Sequence, residues 1–227
     1  MSAPFYVPPE QLVKDRADFA RKGVGRGRPI VAVTLEEGIL MVGENSSPAL
    51  RKIGEVYDRM AFAGVGRFNE FETLRVAGVR YADLKGYSYA RADVTAKGLA
   101  NAYSQTLGQI FSHEVKPYEV DIVVAQLGAD VKADQLFRIQ FDGTLRDAHI
   151  LVVLGAGEEA IQEQLAESIA PTLGVDDALD LICGAIEQAA ERQIPDEAWE
   201  TGLLDRSAGR RTFRRLSVDE VSAARDR

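Results

Sequence analysis

The sequence is poor in the residues that most often announce chemistry. It holds one cysteine, Cys183, so no disulfide can form within the chain. Its two histidines, His113 and His149, cannot build the usual zinc shells of three or four Cys/His ligands, and no metal or cofactor is expected. There is no Gly-x-Ser-x-Gly nucleophile elbow. The longest wholly apolar run, near residues 150–157, is far short of the roughly 20 residues that cross a bilayer. No basic-then-apolar leader opens the chain, so a cytoplasmic protein without a membrane partner is expected. Positive charge is short as well: 27 Lys and Arg against 35 Asp and Glu give −8. That balance argues against nucleic acid as the main partner.

What is present suits a soluble globular chain. Of the 227 residues, 46% are hydrophobic and 27% charged, too apolar for disorder. A chain of this size buries roughly 70–75% of its unfolded surface, enough for a sizeable core. Neither an internal repeat nor a low-complexity linker divides it, and a single domain over 1–227 is expected.

Residues 1–7 are short and apolar-aromatic, and Pro8-Pro9 follows. Proline suits a first helical turn, and Glu10 places an acid near the positive helix end. Leu12, Val13, Ala17, Phe19 and Ala20 then recur at helical spacing, predicting a helix over 10–23 that the glycines of residues 23–27 break. A β-branched run at 30–35, the turn Glu36-Glu37-Gly38 and a return at 39–44 read as paired strands. Two further short strands are expected at 52–53 and 60–65. A helix after Gly66 is marked by Phe68, Phe71, Leu74, Gly78 and Tyr81, and a second opens after Thr95, a plausible N-cap. Strands are expected again at 119–127, 135–141 and 149–154, with Asp142-Gly143 as a hairpin turn. Helices at 158–169 and 176–192 and strands at 199–204 and 212–216 complete the pattern, ahead of a helical tail at 217–227. Strand blocks and helix blocks are segregated, unlike the alternation of a doubly wound fold. The fold class is therefore α+β, a four-layer helix–sheet–sheet–helix sandwich with an extra N-terminal helix.

Candidate motifs mostly reduce to structure. Gly64-Val65-Gly66 and Gly155-Ala156-Gly157 lie between strand and helix, but neither completes a phosphate-loop or dinucleotide fingerprint. Cys183, among Leu181, Ile182 and Ala185, reads as a small buried hydrophobe. His113 suits the negative end of a helix. The run Arg210-Arg211-Thr212-Phe213-Arg214-Arg215 invites a nucleic-acid reading, but on a strand its arginines point to both faces, and surface or intersubunit salt bridges are preferred.

Residues 52–71, KIGEVYDRMAFAGVGRFNEF, nearly continuously resemble the α subunits of bacterial proteasomes, most closely the actinobacterial kind. Residues 10–23, 81–89, 99–108, 116–119 and 211–216 are similar too, so the resemblance spans nearly the whole chain. It implies the αββα sandwich of N-terminal-nucleophile hydrolases over 28–216. In the catalytic β relatives a free N-terminal threonine opens the first strand. Arg28, inside a continuous chain, stands there in this sequence, with Glu44 and Lys52 at the positions of the supporting acid and lysine. The resemblance thus implies a subunit with no catalytic residues. A simpler self-compartmentalised hydrolase is the competing reading, and Arg28 opposes it.

The resemblance further implies partners: other α subunits in a heptameric ring, β subunits beneath it, unfolded substrates in transit, and an AAA-type ring ATPase delivering proteins tagged by a small protein modifier. Residues 1–9 would form the gate at the axial pore, with Phe5 and Tyr6 stacking to close it. The archaeal Tyr-Asp-Arg gating triplet is absent. Lys52 and Gly66 match the pocket that receives activator tails, the ammonium pairing with a terminal carboxylate and the glycine permitting close backbone approach.

Overall fold

A computed structural model describes residues 8–47 and 49–226. Helix α1 (Pro9–Val24) precedes four strands, β1 (Ile30–Leu35), β2 (Gly38–Glu44), β3 (Ile53–Tyr57) and β4 (Met60–Gly66). Helices α2 (Phe68–Ser88) and α3 (Ala96–His113) follow, then β5 (Val120–Gln126), β6 (Gln135–Ile139), β7 (Leu145–Ala148) and β8 (Leu151–Leu154). The chain ends with α4 (Glu158–Ala166), α5 (Val175–Ala190), β9 (Trp199–Asp205), β10 (Phe213–Arg214) and α6 (Val218–Arg225). The strands form two five-stranded antiparallel sheets, ordered β10-β9-β2-β1-β8 and β3-β4-β5-β6-β7.

Successive strand residues point to opposite faces, and here both faces are covered. Ile30 and Ala32 of β1 look inward, where Ile39, Met41, Ala61, Ala63, Val123 and Ala125 fill the space between the sheets. Val31, Val33 and Leu35 look outward, against Ile161 of α4 and Leu179, Ile182 and Ile186 of α5. On the other sheet, Phe62, Ile122 and Val124 meet Phe71 and Leu74 of α2 and Leu99, Tyr103 and Leu107 of α3. The four expected layers are therefore present.

Thr95 caps α3 by accepting from the Gly98 N–H at 3.2 Å. At the other end of α3, Arg16 of α1 donates to carbonyls in the last turn and just beyond it. Its guanidinium donates to Phe111 O at 2.8 Å and Glu114 O at 2.7 Å, with longer bonds to Ile110 and Val115. Ala20 and Val24 seat α1 against Phe141. Of the apolar residues that announced this helix, Ala17 and Ala20 mark its buried side, whereas Leu12, Val13 and Phe19 remain about half exposed.

Three expectations need correction. A strand missing from the expected pattern, β7, pairs with β6. Its residues Leu145-Arg146-Asp147-Ala148 form a polar edge strand, which reads as loop. His149 does not open a strand but sits exposed in the bend before β8. The last strand shrinks from 212–216 to Phe213–Arg214: Thr212 bonds Asp58 O through both its N–H (3.0 Å) and its hydroxyl (3.2 Å), and past Arg214 the Arg215 side chain is taken up by Glu200 and Ile53 O.

Opposite the chain entry to β1, one ion pair clamps the sheets together. Asp134, whose side chain is fully buried, accepts from Arg206 at 2.7 and 3.0 Å. The same guanidinium donates to Leu35 O and Glu36 O of one sheet and Gly128 O of the other. Removing one member of a buried pair strands the other, so Asp134→Ala should lower stability by about 3 kcal/mol. A fall in the urea midpoint of the chain reads this out; an unchanged midpoint would mean that Arg206 needs only its carbonyl partners.

Candidate functional site

Lys52 and Gly66 meet at one rim of the sandwich, where β1 and β3 begin and β2 and β4 end. Both abut residues 27–28. A Cβ on Gly27 would lie 3.1 Å from Gly66 N, and Lys52 Nζ donates to Arg28 O at 3.2 Å. Lys52 also donates to Glu44 O at 3.0 Å. Two of its three ammonium protons are thus held by backbone carbonyls, leaving one for a ligand. Gly66 has φ +112°, and a Cβ there would stand 1.8 Å from Glu119 O. Only glycine fits there, where the end of β4 lies against the backbone just before β5.

Burial opposes the Lys52 charge, Glu200 favours it, and Arg28 opposes it again, leaving its pKa pulled down to about 8. Glu44, with 2% of its surface exposed, is tied to the Arg28 and Arg192 guanidiniums, the latter at 2.5 Å. At the entry to β1, Arg28 therefore helps neutralise Glu44. Around Lys52 the rim gathers Arg28, Arg192 and Arg215 with the carboxylates of Glu44 and Glu200, and the remaining ammonium proton of Lys52 is suited to meeting an anionic group.

Glu200 is a residue that sequence reasoning missed. Its carboxylate, exposed by 2%, accepts from the N–H groups of Lys52 (2.9 Å) and Ile53 (3.1 Å), from Asn45 Nδ2 (2.6 Å) and from Arg215 Nη1 (3.0 Å). A signal was available: a carboxylate inside the run Trp199-Glu200-Thr201-Gly202-Leu203-Leu204 must find partners if that run is buried.

The other candidates resolve as structure. Arg211 pairs with Glu55, Arg214 with Glu220, Arg215 with Glu200 and, at 3.7 Å, Arg210 with Asp58. These carboxylates lie in the same chain, so the basic run presents no uncompensated cationic face. Cys183 is buried in the core, which pushes its thiol up to about 12. His113 ends α3, its Nδ1 lying 3.1 Å from Gln109 O. Among the described residues, no group of three or more His, Cys, Asp or Glu side chains could hold a metal ion. No helix among them is long and apolar enough to cross a membrane. Phe5 and Tyr6 lie outside the described residues.

Comparison with known proteins agrees with this architecture. A family model described as "Proteasome subunit" matches residues 24–198. The chain is 53% identical to the proteasome subunit alpha of Kineococcus radiotolerans, over 96% of this chain and 95% of that protein. It is 50% identical to the proteasome subunit alpha of Thermomonospora curvata, over 97% and 96%. Identity to the corresponding protein of Pseudarthrobacter chlorophenolicus is 48%, over 98% and 99%. A matched family model over most of its length, joined to near-full-length similarity at this level, means that the chain belongs to the proteasome subunit family.

Proposed function

We propose that the chain is a non-catalytic α-ring subunit of a bacterial 20S proteasome, working in the cytoplasm. The observation that carries this reading is the start of β1. Arg28 stands two residues before it within a continuous chain, at the place where the resemblance puts the threonine of catalytic relatives, so neither a hydroxyl nor a free amine is available there to attack a peptide. The nearby acid and lysine are engaged elsewhere: Glu44 pairs with Arg28 and Arg192, and Lys52 bonds backbone carbonyls.

In this reading seven copies form a ring over the β subunits that carry the activity. The exposed Leu12, Val13 and Phe19 of α1 supply apolar surface for neighbours. Residues 1–9, with Phe5 and Tyr6, gate the pore through which unfolded chains pass. Lys52 and Gly66 line the pocket that receives the C-terminal tails of an AAA-type ring ATPase, which delivers modifier-tagged proteins. The third ammonium proton of Lys52 meets the terminal carboxylate, and the missing side chain of Gly66 lets the tail backbone come close.

The decisive comparison is peptide hydrolysis by this chain alone and after co-expression with a β subunit, with particle size followed on the same samples. Activity should appear only in the large co-assembled particle; hydrolysis by the isolated chain would overturn the non-catalytic reading. In that particle, Lys52→Ala should cut activator-stimulated hydrolysis by roughly tenfold or more, the worth of one charge-assisted hydrogen bond, while assembly persists. Undiminished stimulation would sink the pocket assignment. Deleting residues 2–7 should raise basal peptide hydrolysis, and flat rates would remove the gate from this segment.

Tail docking should also depend on pH. The carboxylate needs the ammonium form, which Lys52 holds below about pH 8 and loses above it. Affinity should therefore fall as pH rises from 7 to 9, on the order of one decade per pH unit once the pKa is passed. Lys52→Arg, always protonated, should flatten that dependence.

A further inference from the structure

We propose that Glu200 is a positioning residue for tail docking: its buried carboxylate fixes the place from which the Lys52 side chain leaves the backbone. The inference rests on the reading of Lys52 as the residue that captures the tail carboxylate, and it adds the group that makes Lys52 competent to do so.

The geometry is closed on every side. Oε2 accepts from Lys52 N and Asn45 Nδ2, and Oε1 accepts from Ile53 N and Arg215 Nη1. Arg215 then returns to the same strand, donating through Nη2 to Ile53 O at 2.6 Å. Four donors meet two oxygens, which a carboxylate can satisfy in full. A glutamine in the same place would turn two of its own protons towards donors. The demand is therefore for a carboxylate, despite the penalty of burying one.

The bonds to two successive backbone N–H groups are the informative ones. Residues 49–52 leave the loop after β2, and β3 begins at Ile53. Regular pairing holds Ile53 opposite Ala63. Lys52, one residue earlier, is held on two sides: its C=O accepts from Gly64 N of β4 at 3.1 Å, and its N–H is held by Glu200. Its side chain then reaches Arg28 O and Glu44 O with the last ammonium proton free. A small slip of residue 52 would break that span.

Glu200 also supplies charge. The charged groups around Lys52 are Arg28 before β1, Glu44 at the end of β2, Arg192 after α5, Glu200 of β9 and Arg215 after β10, with the exposed Arg51 adjacent in sequence. Burial and Arg28 favour the neutral amine, and Glu200 opposes both. Glu44 already serves two guanidiniums and Glu200 serves one. The position and the protonation of Lys52 thus both draw on the Glu200 carboxylate.

The test uses the assembled α/β particle and a fluorescent peptide carrying the C-terminal residues of the ring ATPase from the same organism. Its C-terminally amidated form is the control. Glu200→Gln should weaken the free-acid peptide by about tenfold at neutral pH, the share of one charge-assisted bond. The pH midpoint of binding should move down from about 8. The amidated peptide should bind both particles equally weakly. Unchanged affinity and an unchanged midpoint would overturn the inference. If Glu200→Gln fails to assemble, Asn45→Ala removes one of the four donors without touching Lys52, and free-acid affinity should fall by roughly two- to fivefold; no change would again overturn it. Lys52→Ala, measured beside them, separates the two claims. Loss of binding there with full binding in Glu200→Gln ends the positioning role alone, whereas full binding in Lys52→Ala ends the docking reading and this inference with it.

Discussion

Each central strand of this protein is covered on both faces. Side chains that alternate along β1 go either into the space between the sheets or under the helices, and neither direction meets water. Polar groups can then reach a ligand only at the ends of the strands, where the backbone turns. The rim at the start of β1 and the opposite rim at the β1–β2 turn accordingly hold the charged groups that the core cannot. At the far rim Asp134 and Arg206 close on one another and on nearby carbonyls. At the near rim the charges stay partly open, with Lys52, Arg28 and Arg192 gathered around Glu44.

The same rim carries another buried group. Asp121, at the start of β5, bonds Arg138 at 2.6 Å, and Arg138 continues to Glu158 of α4. Burial raises the Asp121 carboxyl to about 6 even with that guanidinium beside it. One end of the sandwich therefore concentrates groups whose protonation lies nearer neutrality than usual, Asp121 from below and Lys52 from above. The two act at different places, Asp121 joining a sheet to α4 and Lys52 facing outward.

Much of the fold was legible because burial on both faces writes long apolar runs. Residues 30–35 and 39–44 could hardly be anything but buried strands, and Thr95 marked the start of α3 as a cap should. Strand β7 was not legible, since an edge strand needs apolar cover on little of its surface and reads as polar chain. Helix α1 was legible as a helix but only partly in its orientation, because Leu12, Val13 and Phe19 satisfy the helical period while staying about half exposed, and Ala17 and Ala20 alone of the set face inward. The site was legible in an uneven way. Nothing local distinguishes Lys52 from a solvated lysine, and only the resemblance over residues 52–71 singled it out. Glu200 lies 148 residues away, and no spacing rule joins it to Lys52. The fold alone brings them together.

Arg16 has a mechanical consequence. The last turn of α3 ends in carbonyls that need donors, and the guanidinium of Arg16 supplies them from α1. The first helix is therefore fastened to the end of another, not merely laid on the surface. A pull on α1 is passed to α3 before it can be absorbed by the loop at 25–29. Since α3 lies along β5 and β6, that load runs into the middle of a five-stranded sheet. A force applied to α1 thus reaches a central pair of sheet strands through one side chain and one helix.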